Sequence, residues 1–80
     1  MDPDAVVTRA DLVRFIESLV DDWENEGASW ENQTAGDYLQ ALGSWMQSAH
    51  HAYANHGEVM PDPPDWRFIA HALTVATVYE

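Results

Sequence analysis

The sequence contains no cysteine and no lysine. Without cysteine there is no disulfide, no thiol nucleophile and no thiolate metal site. Cationic groups are scarce: three arginines stand against 14 aspartates and glutamates, a formal net charge of −11. Nucleic acid and anionic membrane surfaces both call for clustered basic residues, so neither is an expected partner. Long hydrophobic runs are also missing. The longest mostly apolar stretch, Phe68 to Tyr79, is about 12 residues and includes His71, whereas a membrane span needs about 20. The opening Met1-Asp2-Pro3-Asp4 is acidic and unlike the basic start of a signal peptide. The expected location is the cytoplasm. No repeat, low-complexity tract or long linker divides the chain.

What is present suits one small domain. The apolar fraction of 46% in 80 residues supports a single core. A chain this short buries only about 60–65% of its unfolded surface, so modest stability is expected. Residues 1–80 read as one helical domain, with 1–7 as a flexible N-terminus.

Three helices follow from start signals and spacing. Thr8 is an N-cap, with Asp11 as the capping-box acid and a Val7–Leu12 hydrophobic staple. Leu12, Ile16, Leu19 and Trp23 then fall at i, i+4, i+7 and i+11, with Phe15 and Val20 widening the stripe. Gly27 offers a left-handed stop. Thr34 repeats the start logic, and Tyr38, Leu42, Trp45 and Ala49 form a stripe with Leu39, Met46 and Tyr53 beside it. Gly57 is the next stop, and Gly43 suggests the close passage of a neighbouring helix or ring. Asp62 caps a third helix with Pro63 in its first position. Its expected inner face is Trp66, Ile69, Ala70, Leu73 and Ala76. Residues 74–79 are rich in β-branched side chains and could form a strand. Helix is preferred, because a lone strand leaves its backbone unpaired. The expected fold is all-α, a small single-domain bundle of three main helices.

The aromatic landmarks carry a resemblance. In order they are Trp30-Glu31-Asn32-Gln33-Thr34, Tyr38-Leu39 with Leu42 and Trp45, then Tyr53, Gly57-Glu58, Pro61, Pro64, Trp66 and the terminal Tyr79-Glu80. This pattern resembles a family of small bacterial proteins known only as a domain of unknown function. The resemblance covers nearly all the chain after residue 8. The Trp-Glu-Asn-x-Thr stretch and the terminal Tyr-Glu are its most specific parts. This sequence departs from it at Ala52, where the family carries a second aromatic beside Tyr53. The resemblance implies an all-helical fold and supplies no activity.

Residues with chemical potential are few. His50, His51 and His56 cluster near the end of the second helix, close to Glu58, and imidazole with carboxylate can hold Zn²⁺ or Ni²⁺. Adjacent His50 and His51 point about 100° apart on a helix, however. Imidazoles near a helix C-terminus are also favoured by its dipole. No metal site and no cofactor are expected. Glu17, Asp21 and Glu24 lie at i, i+4 and i+7, with Asp22 and Glu26 near them. This face opposes the Leu12–Trp23 stripe and is either solvated for solubility or complementary to a basic protein. In the second case it imitates the phosphate spacing of nucleic acid and accelerates association.

Trp23, Trp45 and Trp66 each lie on an apolar stripe of a different helix, and one shared core is expected to gather them. Trp30 sits in a loop, as a lid over that core or as an exposed anchor. Asn32 and Thr34 suit turn and cap roles. No serine has the Gly-x-Ser-x-Gly setting and no glycine loop cradles phosphate, so no catalytic residue is expected.

The expected function is a small acidic non-enzymatic interaction module, an immunity-like or regulatory partner of a basic protein. Glu17, Asp21, Asp22, Glu24, Glu26 and Trp30 are its candidate contact residues. The alternative is a metal- or small-ligand-binding module using the histidines or a Trp-lined pocket. The sequence leaves the oligomeric state open.

Overall fold

The computed structural model describes residues 2–79 and contains three α-helices: α1 (Arg9–Glu26), α2 (Ala35–Asn55) and α3 (Trp66–Val75). Short 3₁₀ turns at Pro3–Ala5 and Gly27–Ser29 flank α1, and no strand occurs among the described residues. The fold is an all-α three-helix bundle with α3 at its centre. α1 and α2 each pack against α3 and scarcely touch one another. The sequence of α3, WRFIAHALTV, is apolar apart from one face carrying Arg67, His71 and Thr74, and so wide an apolar surface is buried between two neighbours. Ala70, Ala72 and Ala76 are fully buried, so the flanking chain approaches closely.

Two apolar clusters lie on either side of α3. Val6, Leu12, Phe15 and Ala70 form one, with Leu19, Ile69 and Leu73 against it. Trp45, Ala49, Phe68 and Ala72 form the other, with Leu42, Tyr53, Met60 and Val75 against it. Ile69 touches both. The molecule measures 34 × 28 × 18 Å, and its radius of gyration is 12.6 Å. A closed globule of this length would give about 11.6 Å, so the arrangement is open.

The caps of α1 and α2 form as expected. Thr8 Oγ1 accepts from the Asp11 N–H while the Asp11 carboxylate accepts from the Thr8 N–H, a complete capping box. Thr34 Oγ1 accepts from the Asp37 N–H at the start of α2. Gly57, at φ 72°, ends α2 in a Schellman motif: its N–H donates to the Ala54 carbonyl and that of Glu58 to the Tyr53 carbonyl.

Several local expectations are corrected. The staple does not form, because Val7 is 73% exposed and Val6 is the valine that enters the core. Within the segment read from sequence as a flexible N-terminus, residues 1–7, Val6 is buried. The 3₁₀ turn docks on α3, and Asp4 meets the His71 ring at 2.7 Å. Gly27 is right-handed at φ −57° and is needed for space. A Cβ there would lie 2.5 Å from the Trp23 ring. Gly43 has no neighbour within 4 Å of where a Cβ would stand, so no helix or ring passes it.

α3 begins three residues later than the expected Pro63. Pro64 disfavours helical backbone at the residue before it, and Asp65 becomes the N-cap, its carboxylate accepting from the Phe68 N–H at 2.7 Å. Phe68 is buried, while Trp66, the first residue of α3, is 39% exposed. After Val75 the chain continues in turns, so residues 76–79 form neither a strand nor a further length of α-helix.

The three indoles do not converge. Trp45 is buried against Phe68, with ring centroids 5.6 Å apart, while Trp23 is 43% exposed. The cause is the separation of α1 from α2: no single interior exists for all three rings to share.

Candidate functional site

The apolar face of α1 is wider than α3 can cover. Leu12 and Phe15 are buried against α3, but Val13, Ile16, Val20 and Trp23 are 42–51% exposed. These four fall at i, i+3, i+7 and i+10, so they form one continuous stripe beside the core. Glu17, Asp21 and Glu24 run along its outer margin and are all exposed. The structure therefore sets Glu17, Asp21 and Glu24 next to an apolar strip of which Ile16, Val20 and Trp23 were expected in the interior and Val13 was not singled out. The sequence held no signal for this, since periodicity reports a face but not what covers it.

At the C-terminal end of the stripe, Trp30 packs between Trp23 and Tyr38, with ring centroids 5.4 and 5.9 Å away. Its indole N–H donates to the Asp22 carboxylate at 2.6 Å. Trp30 is thus a half-buried lid across the gap between α1 and α2, and Asp22 is engaged in holding it. Trp23, Trp30, Tyr38 and Leu39 line an open concavity of about 460 Å³ there. Leu39 and Met46 extend apolar surface along α2, being 63% and 39% exposed. Glu26 is exposed beyond the stripe, at the last turn of α1.

A second concavity lies on the other side of α3. Trp45, Ala52 and His56, at i, i+7 and i+11, supply one wall from α2. Arg67, His71 and Val75 supply the facing wall at four-residue steps along α3. Tyr53, Glu58 and Asp4 complete a cleft of about 470 Å³. Burial raises the Tyr53 hydroxyl pKa above its ordinary value; Asp65 adds to this, while Arg67 opposes it.

The histidines do not assemble as one group. The His50 and His51 rings lie 4.1 Å apart, closer than their helical angle suggested, while His56 lines the cleft and His71 pairs with Asp4. Among the described residues, no group of three His, Asp or Glu side chains is placed to hold a metal.

One polar clamp joins distant parts of the chain. Asn32 donates from Nδ2 to the carbonyls of Ala76 (2.9 Å) and Tyr79 (2.8 Å), and its backbone N–H donates to that of Thr77 (3.0 Å). The Tyr38 hydroxyl donates to the Leu73 carbonyl at 2.6 Å, and burial raises its pKa. Tyr79 Oη lies 3.2 Å from Ser48 Oγ. Asn32 is therefore a cap, as its residue type suggested, but for a helix more than 40 residues downstream.

These interactions join the Trp30–Thr34 stretch to Tyr79, two of the landmarks that carry the sequence resemblance. A match to a family of unknown function, DUF7660, runs over residues 8–80. The chain belongs to that family. No curated protein and no solved structure matches it. In this DUF7660 chain, the Trp30–Thr34 stretch and Tyr79 are joined physically, because the loop caps the end of α3. The match starts at the N-cap of α1, so Asp4 and Val6 precede it, although one lines the cleft and the other fills the core. Glu80 lies outside the described residues.

Proposed function

We propose that the chain is a non-enzymatic cytoplasmic interaction module that docks a basic amphipathic segment of a partner protein on α1. The exposed Val13–Ile16–Val20–Trp23 stripe, bordered by Glu17, Asp21 and Glu24, carries this reading. An amphipathic helix recognises such a surface through apolar anchors at i, i+3 and i+7. The acidic border selects Lys or Arg beside those anchors. A second copy fits poorly, because each brings a formal charge of −11 to the contact. The same charge speeds encounter with a basic partner at low salt. An immunity-like or regulatory protein acts in this way, by covering a basic surface.

The test is titration of the full chain with an 18-residue Leu/Lys amphipathic helical peptide, followed by Trp emission and backbone amide shifts. Controls are a scrambled peptide of the same composition and a Leu/Glu counterpart. Saturable binding should shift α1 amides, weaken with salt and be lost in the Ile16→Ser/Val20→Ser double variant. Neutralising Glu17, Asp21 and Glu24 to their amides should slow association. Equal binding of the scrambled peptide, or unchanged binding by the serine variant, would refute the proposal.

A further inference from the structure

The cleft between α2 and α3 combines features absent from the rest of the surface. Among the described residues, Arg14 pairs with Asp11, and Asp4 hydrogen-bonds the His71 ring. Arg67 and Glu58 therefore line one cleft with opposite charges and are joined neither to each other nor to another described residue. This is notable in a chain with three arginines and 14 carboxylates. Trp45 is 8% exposed, and no buried side-chain nitrogen or oxygen lacks a partner. Among the described residues, none accepts from its indole N–H. The Tyr53 hydroxyl is also free of a protein partner among the described residues. At neutral pH it is an uncharged donor.

We infer that this cleft binds a small zwitterion, an α-amino acid with an apolar side chain. The carboxylate meets the Arg67 guanidinium and the Tyr53 hydroxyl. The ammonium meets Glu58, and the side chain lies on Trp45, Ala52 and Val75. A simple anion would face Glu58 and Asp4 with one arginine to oppose them. A simple cation would leave Arg67 and the two neutral donors without acceptors. The volume of about 470 Å³ lies within the range of roughly 300–1,000 Å³ usual for small-ligand sites. Gly57 contributes through its left-handed turn, which carries Glu58 back over the end of α2. The inference is independent of the α1 surface, because the cleft lies on the opposite side of α3.

Two-dimensional ¹H–¹⁵N spectra of the full chain test it, with the Trp45 indole N–H as reporter. Probes are L-phenylalanine, L-leucine, phenethylamine (ammonium only) and 3-phenylpropanoate (carboxylate only), each to about 10 mM, a range that detects millimolar affinity. At least one amino acid should shift the Trp45 indole resonance and the Glu58 and Arg67 amides saturably. The corresponding single-charge analogues should bind at least about tenfold more weakly. Arg67→Gln and Glu58→Gln should each lose the response while keeping the remaining spectrum, and Arg9→Gln should retain it. The inference is overturned if neither amino acid gives saturable shifts. It is also overturned if a single-charge analogue binds as well, or if Arg67→Gln binds like the parent.

Discussion

Replacing Asn32 with alanine removes the two side-chain hydrogen bonds that close the C-terminal end of α3. Each is worth about 1 kcal/mol net, so a loss of about 2 kcal/mol is expected. A domain of 80 residues has a total stability of about 4–12 kcal/mol, which makes this a substantial fraction. At about 4–8 °C per kcal/mol, Tm should fall by roughly 8–16 °C. Asn32→Asp is a sharper perturbation, because it keeps the shape and turns an acceptor toward two carbonyl oxygens. It should be less stable than Asn32→Ala at pH 7. Those carbonyls oppose ionisation, so the introduced carboxyl has a raised pKa in the folded state. Its protonated form can donate, so this contribution is complete below the ordinary carboxylate range and lost as pH rises through the raised value. The deficit of Asn32→Asp should therefore shrink on acidification. Urea titrations read by circular dichroism at pH 5 and 7 measure both effects. A loss below about 0.5 kcal/mol in Asn32→Ala, or a pH-independent gap between the two variants, would refute the clamp.

The remaining expectations concern single positions. Tyr38→Phe removes the hydrogen bond to the Leu73 carbonyl and should cost about 1 kcal/mol in urea titrations. Because burial raises Tyr38, its titration contributes stability that is complete below the unfolded value near 10 and lost as pH rises through the folded one. The variant should show a shallower alkaline decline. Gly43→Ala, in open space within a helix, should stabilise by about 0.5–1 kcal/mol, while Gly27→Ala should destabilise by about 1–3 kcal/mol as the new methyl displaces the Trp23 ring. Thermal melts and Trp emission separate these outcomes. The Val7 and Thr8 backbone N–H groups hold Asp11 below its ordinary value of 3.8. Stability from Asp11 is thus present above that value and lost as pH falls through the depressed one, so Asp11→Ala should flatten the acid limb.

The helices were legible because their signals are local. Thr8 with Asp11, Thr34 with Asp37, and Gly57 each act within one turn, and a single sequence contains all the atoms involved. The start of α3 was displaced by a competing local rule, since the restriction Pro64 places on Pro63 outweighs the suitability of Pro63 for a first turn. Val6 and Val7 could not be separated by type. Which valine enters the core depends on where the Pro3–Ala5 turn docks on α3, and that is a tertiary contact.

The sites were less legible, for a reason visible on α1. Leu12 and Phe15 share an amphipathic face with Ile16 and Val20, and periodicity gives all four the same inward label. Ten-residue α3 has too little surface to cover that whole face, and α2 does not reach across to finish it. The uncovered half consequently falls beside Glu17, Asp21 and Glu24, making an apolar strip with an anionic margin from residues that looked like core and solubilising charge. The cleft arises from the same economy of structure. Arg67 and Glu58 line one cleft because Gly57 turns the chain at the end of α2 while α3 packs alongside that helix. In both places, helices that are individually predictable leave candidate binding surface where their packing is incomplete, and the extent of packing is a property of the assembled chain.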